Sequence, residues 1–220
     1  MIILGLTGSI GMGKSTAAGM LRRQGIPVLD SDAVVHRLFA VGGDAVAPVE
    51  AAFPGVVRNR AIDRAALGAR VLGDPPALRR LEAIVHPLVQ RDQRRFLAQA
   101  ARRRVAIAVL DIPLLYETHA ESRMDAVIVV SAPALIQRQR VMRRPGMTAA
   151  KFAAILARQL PDRVKRARAD FVVASGNGRL HTQRALQRIV AGLKDCVGRH
   201  WPQRCNRLVI NRMAQAKSKG

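Results

Sequence analysis

Aromatic residues make up only 3% of the 220-residue chain, with one Trp, one Tyr and five Phe. Few rings are therefore available as stacking platforms, which weighs against a protein built to hold single-stranded bases. There are two cysteines, Cys196 and Cys205, in no CxxC spacing and with no ligand cluster around them. That excludes a disulfide-stapled scaffold and points away from metal or redox work, leaving two reduced cytosolic thiols. No apolar run is long, and the longest, residues 105–110, falls far short of the roughly 18 residues of a membrane helix. Residues 1–6 lack the cationic flank and small-residue cleavage site of a signal peptide, so a cytoplasmic protein with no membrane partner is expected. Acidic residues are also scarce, 15 against 37 basic ones, for a net charge of +22.

A charge of that size suggests nucleic acid or an anionic membrane as a partner. Lysine hardly contributes, however, being found only at positions 14, 151, 165, 194, 217 and 219, and alanine is abundant. A GC-rich genome produces such a bias through codon usage alone. The arginines are read as a solvated surface or as partners of an anionic small molecule, with no specific nucleic acid. What the chain does have is 49% hydrophobic residues, enough for a substantial core in one or two domains.

Five short apolar runs read as strands: residues 2–7, 26–30, 105–110, 126–130 and 171–173. Each is continuously apolar, as expected of strands covered on both faces in a parallel sheet with helical crossovers. Between the second and third runs, residues 33–104 read as helices, with Asp63 as a cap, Pro75 or Pro76 opening a helix, and Pro87 marking a break before another. That stretch is too long for a crossover and is read as an inserted helical subdomain. An arginine-dense insertion at 137–165 separates the fourth and fifth runs. A last helix near 180–197 would place Leu186, Ile189, Val190, Leu193 and Val197 on one face. Residues 198–220 read as a basic, mobile tail.

The segment Gly8-Ser9-Ile10-Gly11-Met12-Gly13-Lys14-Ser15 fits the phosphate-loop pattern, and it sits between a strand and a helix. Its glycines let backbone N–H groups converge on phosphate oxygens, and the helix start adds a partial positive charge. Lys14 is placed for the β- and γ-phosphates, the Ser15 hydroxyl for Mg²⁺, and Thr16 for the α-phosphate side. Asp30 and Asp32 follow the second strand, and either reads as a helix cap. Asp32 is the candidate base for an attacking alcohol, with Asp30 supporting the metal shell or orienting groups. Asp111, at the end of the third run, is placed to meet the metal through water. No Asn-Lys-x-Asp segment follows, which argues against a GTPase. Arg140 and Arg144, four apart, would share a helix face that either closes over the triphosphate or is simply solvated.

With the opening LGLTGSIGMGKST, the VLDSD at 28–32, the His86-Pro87 pair, DIPLLYE at 111–117, the Arg140 and Arg144 pattern, Gln159 and Ala169-Asp170, the chain resembles the dephospho-coenzyme A kinases over about residues 1–197. The resemblance implies an α/β P-loop kinase core with a five-stranded parallel sheet, an inserted helical substrate domain and an Arg-rich lid. The core would comprise 1–32, 105–136 and 166–197, the acceptor domain 33–104 and the lid 137–165. It further implies that ATP with Mg²⁺ phosphorylates the ribose 3′-hydroxyl of dephospho-CoA, the last step of coenzyme A biosynthesis; a monomer is expected. ATP would lie on Gly8, Gly11, Met12, Gly13, Lys14, Ser15 and Thr16. Asp32, Lys14, Arg140 and Arg144 would be catalytic, and Asp30, His86, Pro87, Leu115 and Glu117 would face the acceptor. Taken without the resemblance, His86 before proline is as readily a structural helix-end residue. The core motifs alone also admit a P-loop kinase for another small alcohol or nucleotide, and the charge admits an ATP-dependent nucleic-acid-binding protein. One departure from the family pattern is Ala174-Ser175 after the fifth strand, where many relatives have Asp-Asn.

Overall fold

A computed structural model describes residues 1–201 of the chain. Most of the expected tail, 202–220 with Cys205 in it, lies outside the described residues. In chain order the elements are β1 (Ile2–Thr7), α1 (Lys14–Arg23), β2 (Val28–Asp30), α2 (Ser31–Phe39), α3 (Val46–Ala52), β3 (Val57–Arg58), β4 (Ala61–Ile62), α4 (Arg64–Val71), α5 (Pro75–Arg102), β5 (Ile107–Asp111), β6 (Ala126–Ser131), α6 (Ala134–Met142), α7 (Ala149–Ala157), α8 (Asp162–Arg168), β7 (Phe171–Ala174) and α9 (Arg179–Leu193).

The five apolar runs form one parallel sheet in the order β2-β5-β1-β6-β7. β1 sits at its centre, pairing Ile2 with Ile107 on one side and Leu4 with Ala126 on the other. Every residue of β1 and of β6 is buried, so neither strand needs to alternate polar with apolar. Ile2, Leu4, Leu6, Ile128 and Val130 share a core with Ala17 and Leu21 of α1 and Leu186 and Leu193 of α9. Each Ile, Leu and Val side chain among these contributes about 2 kcal/mol on burial. That packing fixes the end of β1 and the start of α1, the two anchors of the phosphate loop.

The chain divides into two compact units, Met1–Val28 with the described residues from Ala100 onward, and Leu29–Gln99. The sequence pattern alone points to 33–104 for the second, four residues later at its start and five at its end. The boundary falls inside β2 because Val28 packs on the sheet core while Leu29 packs on a separate core of Val34, Leu38, Val49, Phe53, Val56, Leu67 and Val85. This second unit is not wholly helical, since β3 and β4 form an antiparallel hairpin turned by Asn59 and Arg60, both at positive φ. Pro87 does not break a helix: α5 runs through it for 28 residues. One missing N–H and one crowded carbonyl are local losses, which a helix this long withstands through its packed faces. The arginine-dense stretch 137–165 belongs to the first unit. α9 ends at Leu193, so Val197 lies beyond it and is exposed. The start of the tail is tied down: Arg199 and His200 donate their N–H groups to Asp125 Oδ1, while Ile3 N–H donates to Oδ2 at 2.7 Å.

Candidate active site

The loop between β1 and α1 turns at Gly11 and Gly13, at φ 77° and 88° in the left-handed region. At Gly13 a Cβ would also meet Ser175 Oγ at 3.0 Å and Arg140 Nη1 at 3.4 Å, so the loop is closely wrapped as well as sharply turned. Gly13 caps α1 without a side-chain bond, and the first turn of α1 carries no acidic residue. The positive end of that helix is left for an anion, with Ser15 and Thr16 exposed upon it.

Lys14 Nζ lies 2.6 Å from Asp111 Oδ1, and the carboxylate is 2% exposed. The two members of a nucleotide-and-metal site expected from sequence are thus in contact, Lys14 at the start of α1 and Asp111 at the end of β5. Among the described residues no three His, Cys, Asp or Glu side chains cluster to hold a metal. A hydroxyl and one carboxylate nevertheless suit Mg²⁺, which takes few protein ligands and completes its shell with phosphate and water.

Met12 is placed by its neighbours. Its N–H bonds Ser9 O at 3.1 Å, its carbonyl accepts from Ser175 Oγ at 2.6 Å, and its sulfur accepts from Ala132 N–H at 3.1 Å. Arg140, on α6, donates Nη1 to Ser175 Oγ at 2.9 Å and Nη2 to Ser175 O at 2.8 Å. Its guanidinium therefore stands beside the phosphate loop. Arg144 does not share that helix face: α6 stops at Met142, Arg143 is its cap, and Arg144 is exposed past it. Arg140→Ala is accordingly expected to lower kcat about a hundredfold, the range for one lost charge-stabilising donor. Arg144→Ala should cost less than Arg140→Ala, and steady-state kcat for the two variants checks the order.

In the other unit Asp30 caps α2, Oδ1 accepting from Asp32 N–H at 2.9 Å and Ala33 N–H at 3.2 Å. Asp30 is thus the cap, and the exposed Asp32 carboxylate in the first turn is left for other work. His86 and Pro87 are exposed along α5. Leu115 is fully buried, and Glu117 is turned inward, its Oε1 on Lys165 and Leu160 N–H and its Oε2 buried without a hydrogen-bond partner among the described residues. Ser175, Gln137, Lys165 and Asp125 escaped the sequence reading as site or scaffold residues. Only Ser175 had carried a signal, as a departure from the family pattern.

Between Leu115 and Glu117, Tyr116 is buried with its hydroxyl unbonded among the described residues and Arg168 over its ring at 4.6 Å. Burial pushes the phenol up to about 12, with Asp170 and Glu121 adding to the rise and Arg168 opposing it. The folded state favours the neutral phenol, so this contribution to stability is complete below about pH 10, the unfolded value, and is lost as pH rises toward 12. Tyr116 is the one tyrosine in the chain, so absorbance at a tyrosinate band reads it alone. The folded protein should show no tyrosinate transition around pH 10, and one there would contradict this burial.

The family model for dephospho-CoA kinase matches residues 2–180. A dephospho-CoA kinase of Paramagnetospirillum magneticum is 67% identical over 166 residues, covering 76% of this chain and 78% of its own. One from Mesorhizobium japonicum is 60% identical over 178 residues, covering 81% and 89%. Among solved structures, a Thermus thermophilus protein matches with a TM-score of 0.77 at 38% identity over 87% of this chain and 97% of that one. A dephospho-CoA kinase from Campylobacter jejuni, at 21% identity and a TM-score of 0.59, covers 87% and 96% and shares the fold.

Proposed function

The chain belongs to the dephospho-CoA kinase family, and from that premise we propose how its residues divide the transfer of the γ-phosphoryl group of ATP to the ribose 3′-hydroxyl of dephospho-CoA. The observation that carries the reading is Lys14 at 2.6 Å from Asp111 within a glycine-turned loop at a helix start.

Phosphoryl transfer asks little covalent chemistry of a protein and much positioning and charge stabilisation. The loop amides and the α1 terminus hold the phosphates. Lys14 moves from Asp111 to the β- and γ-phosphates, and Arg140 faces the same charge from the other side of the loop. Mg²⁺ would be held by the Ser15 hydroxyl and, through water, by Asp111, and when bound it neutralises phosphate charge. Asp32 orients the 3′-hydroxyl and accepts its proton as the new O–P bond forms and the bond between the γ-phosphorus and the β–γ bridging oxygen breaks. ADP then leaves with the electron pair of that bond. His86 and Pro87 serve the acceptor from α5, with Asp30 holding α2 in place by its cap.

No helix among the described residues is long and apolar enough to cross a membrane. The proposal is a cytoplasmic monomer whose partners are ATP and dephospho-CoA, with no nucleic acid. Labelled phosphate from the γ-position of ATP should appear in coenzyme A and be released by a 3′-nucleotidase. Label that resists that enzyme would place the phosphate elsewhere and overturn the regiochemistry.

A further inference from the structure

The apex of the phosphate loop is held on both sides by side-chain amides that the chemistry above does not use. Ile10 donates its N–H to Gln159 Oε1 at 3.0 Å, and its carbonyl accepts from Gln137 Nε2 at 2.8 Å. Gln137 is buried on α6, whereas Gln159 lies in the short connection between α7 and α8 and needs its own support. That support is next to it: Leu160 donates its N–H to Glu117 Oε1 at 2.8 Å, and the same oxygen pairs with Lys165 Nζ at 2.8 Å. Lys165 is completely buried, and Pro113 O, 3.5 Å from its ammonium, also accepts from Thr7 Oγ1 at the end of β1. A buried cation thus fixes a carboxylate, the carboxylate fixes the Leu160 peptide, and the adjoining Gln159 fixes Ile10.

Buried ion pairs add little net stability, because desolvation offsets most of the attraction. Their effect is on geometry, and the geometry here ends in the phosphate loop. We infer that Glu117 and Gln159 are positioning residues for the nucleotide, holding Ile10 so that the loop is arranged for phosphate before ATP arrives. This rests on the kinase reading above and moves Glu117 from the acceptor side, where sequence resemblance put it, to the nucleotide side. Organising a loop in advance lowers the cost of binding, so the signature is nucleotide affinity.

Gln159→Met keeps the side-chain length and removes the acceptor. Its ADP dissociation constant, measured by calorimetry without any acceptor substrate, is expected to rise about tenfold, one hydrogen bond's worth of organisation, with KM for dephospho-CoA within about twofold of the parent. A double variant, Glu117→Gln with Lys165→Met, removes both charges but keeps an acceptor for Leu160 N–H, and should bind ADP within about threefold of the parent. Glu117→Leu with Lys165→Met lacks that acceptor and should match Gln159→Met. Should the last variant not fold, Gln159→Met decides. An ADP affinity in Gln159→Met within threefold of the parent, or a rise confined to KM for dephospho-CoA in the Glu117 variants, would overturn the inference. Because ADP binding needs no acceptor, a wrong acceptor assignment would leave this result standing.

Discussion

Replacing Lys14 by Met should lower kcat about a thousandfold, as expected when a cation aimed at the transferring phosphoryl group is lost. The fold will also weaken. Lys14 is the ion-pair partner of Asp111, a carboxylate 2% exposed, and taking one member from a buried pair costs about 3 kcal/mol. The two effects separate in the double variant Lys14→Met with Asp111→Asn, where the neutral amide no longer needs a cation. Thermal melting should recover most of its loss while kcat stays low. Recovered turnover in the double variant, or near-parental kcat in Lys14→Met, would remove Lys14 from the chemistry.

For Asp32→Asn, kcat should fall by about a thousandfold, within the range for loss of a positioned general base, with stability changed by no more than about 0.5 kcal/mol. The reason stability is spared is local. Asp30, not Asp32, accepts the two N–H groups at the start of α2. Asp30→Ala should therefore show the opposite pattern, losing about 1 kcal/mol of stability as a cap is removed. Chemical denaturation and kcat on both variants decide between the assignments. Were Asp32→Asn to keep its activity, the base would lie elsewhere.

The phosphate loop was legible in the sequence because its spacing is dictated by backbone geometry: Gly11 and Gly13 sit at φ values that side chains disfavour, and nothing distant is needed to see it. The three central strands were legible for a similar reason, since burial on both faces leaves a nearly unbroken apolar run in sequences such as IILGLT and AVIVVS. What failed depended on context. The turn at Asn59 and Arg60 lacks the glycine that usually announces a tight hairpin. Pro87 normally signals a helix end, and only the packing of the 28-residue α5 overrides it. The spacing of Arg140 and Arg144 suggested a shared face, but Met142 ends the helix between them. Gln159 and Ser175 stood out only through the family pattern and Gln137 not at all, because their bonds to Ile10 and Met12 cross long sequence separations that no local spacing encodes. Which of Asp30 and Asp32 caps α2 is not legible from a spacing of two, because either carboxylate can stand at the helix start; the structure gives the cap to Asp30.

The most direct test of the whole account is ADP release, coupled to a reporter, with dephospho-CoA compared against a panel of nucleosides, small sugars and other alcohols at equal concentration. The account predicts that release depends on dephospho-CoA and that kcat/KM for it exceeds every other acceptor by orders of magnitude. Release that is independent of acceptor, or faster with any other alcohol in the panel, would contradict it.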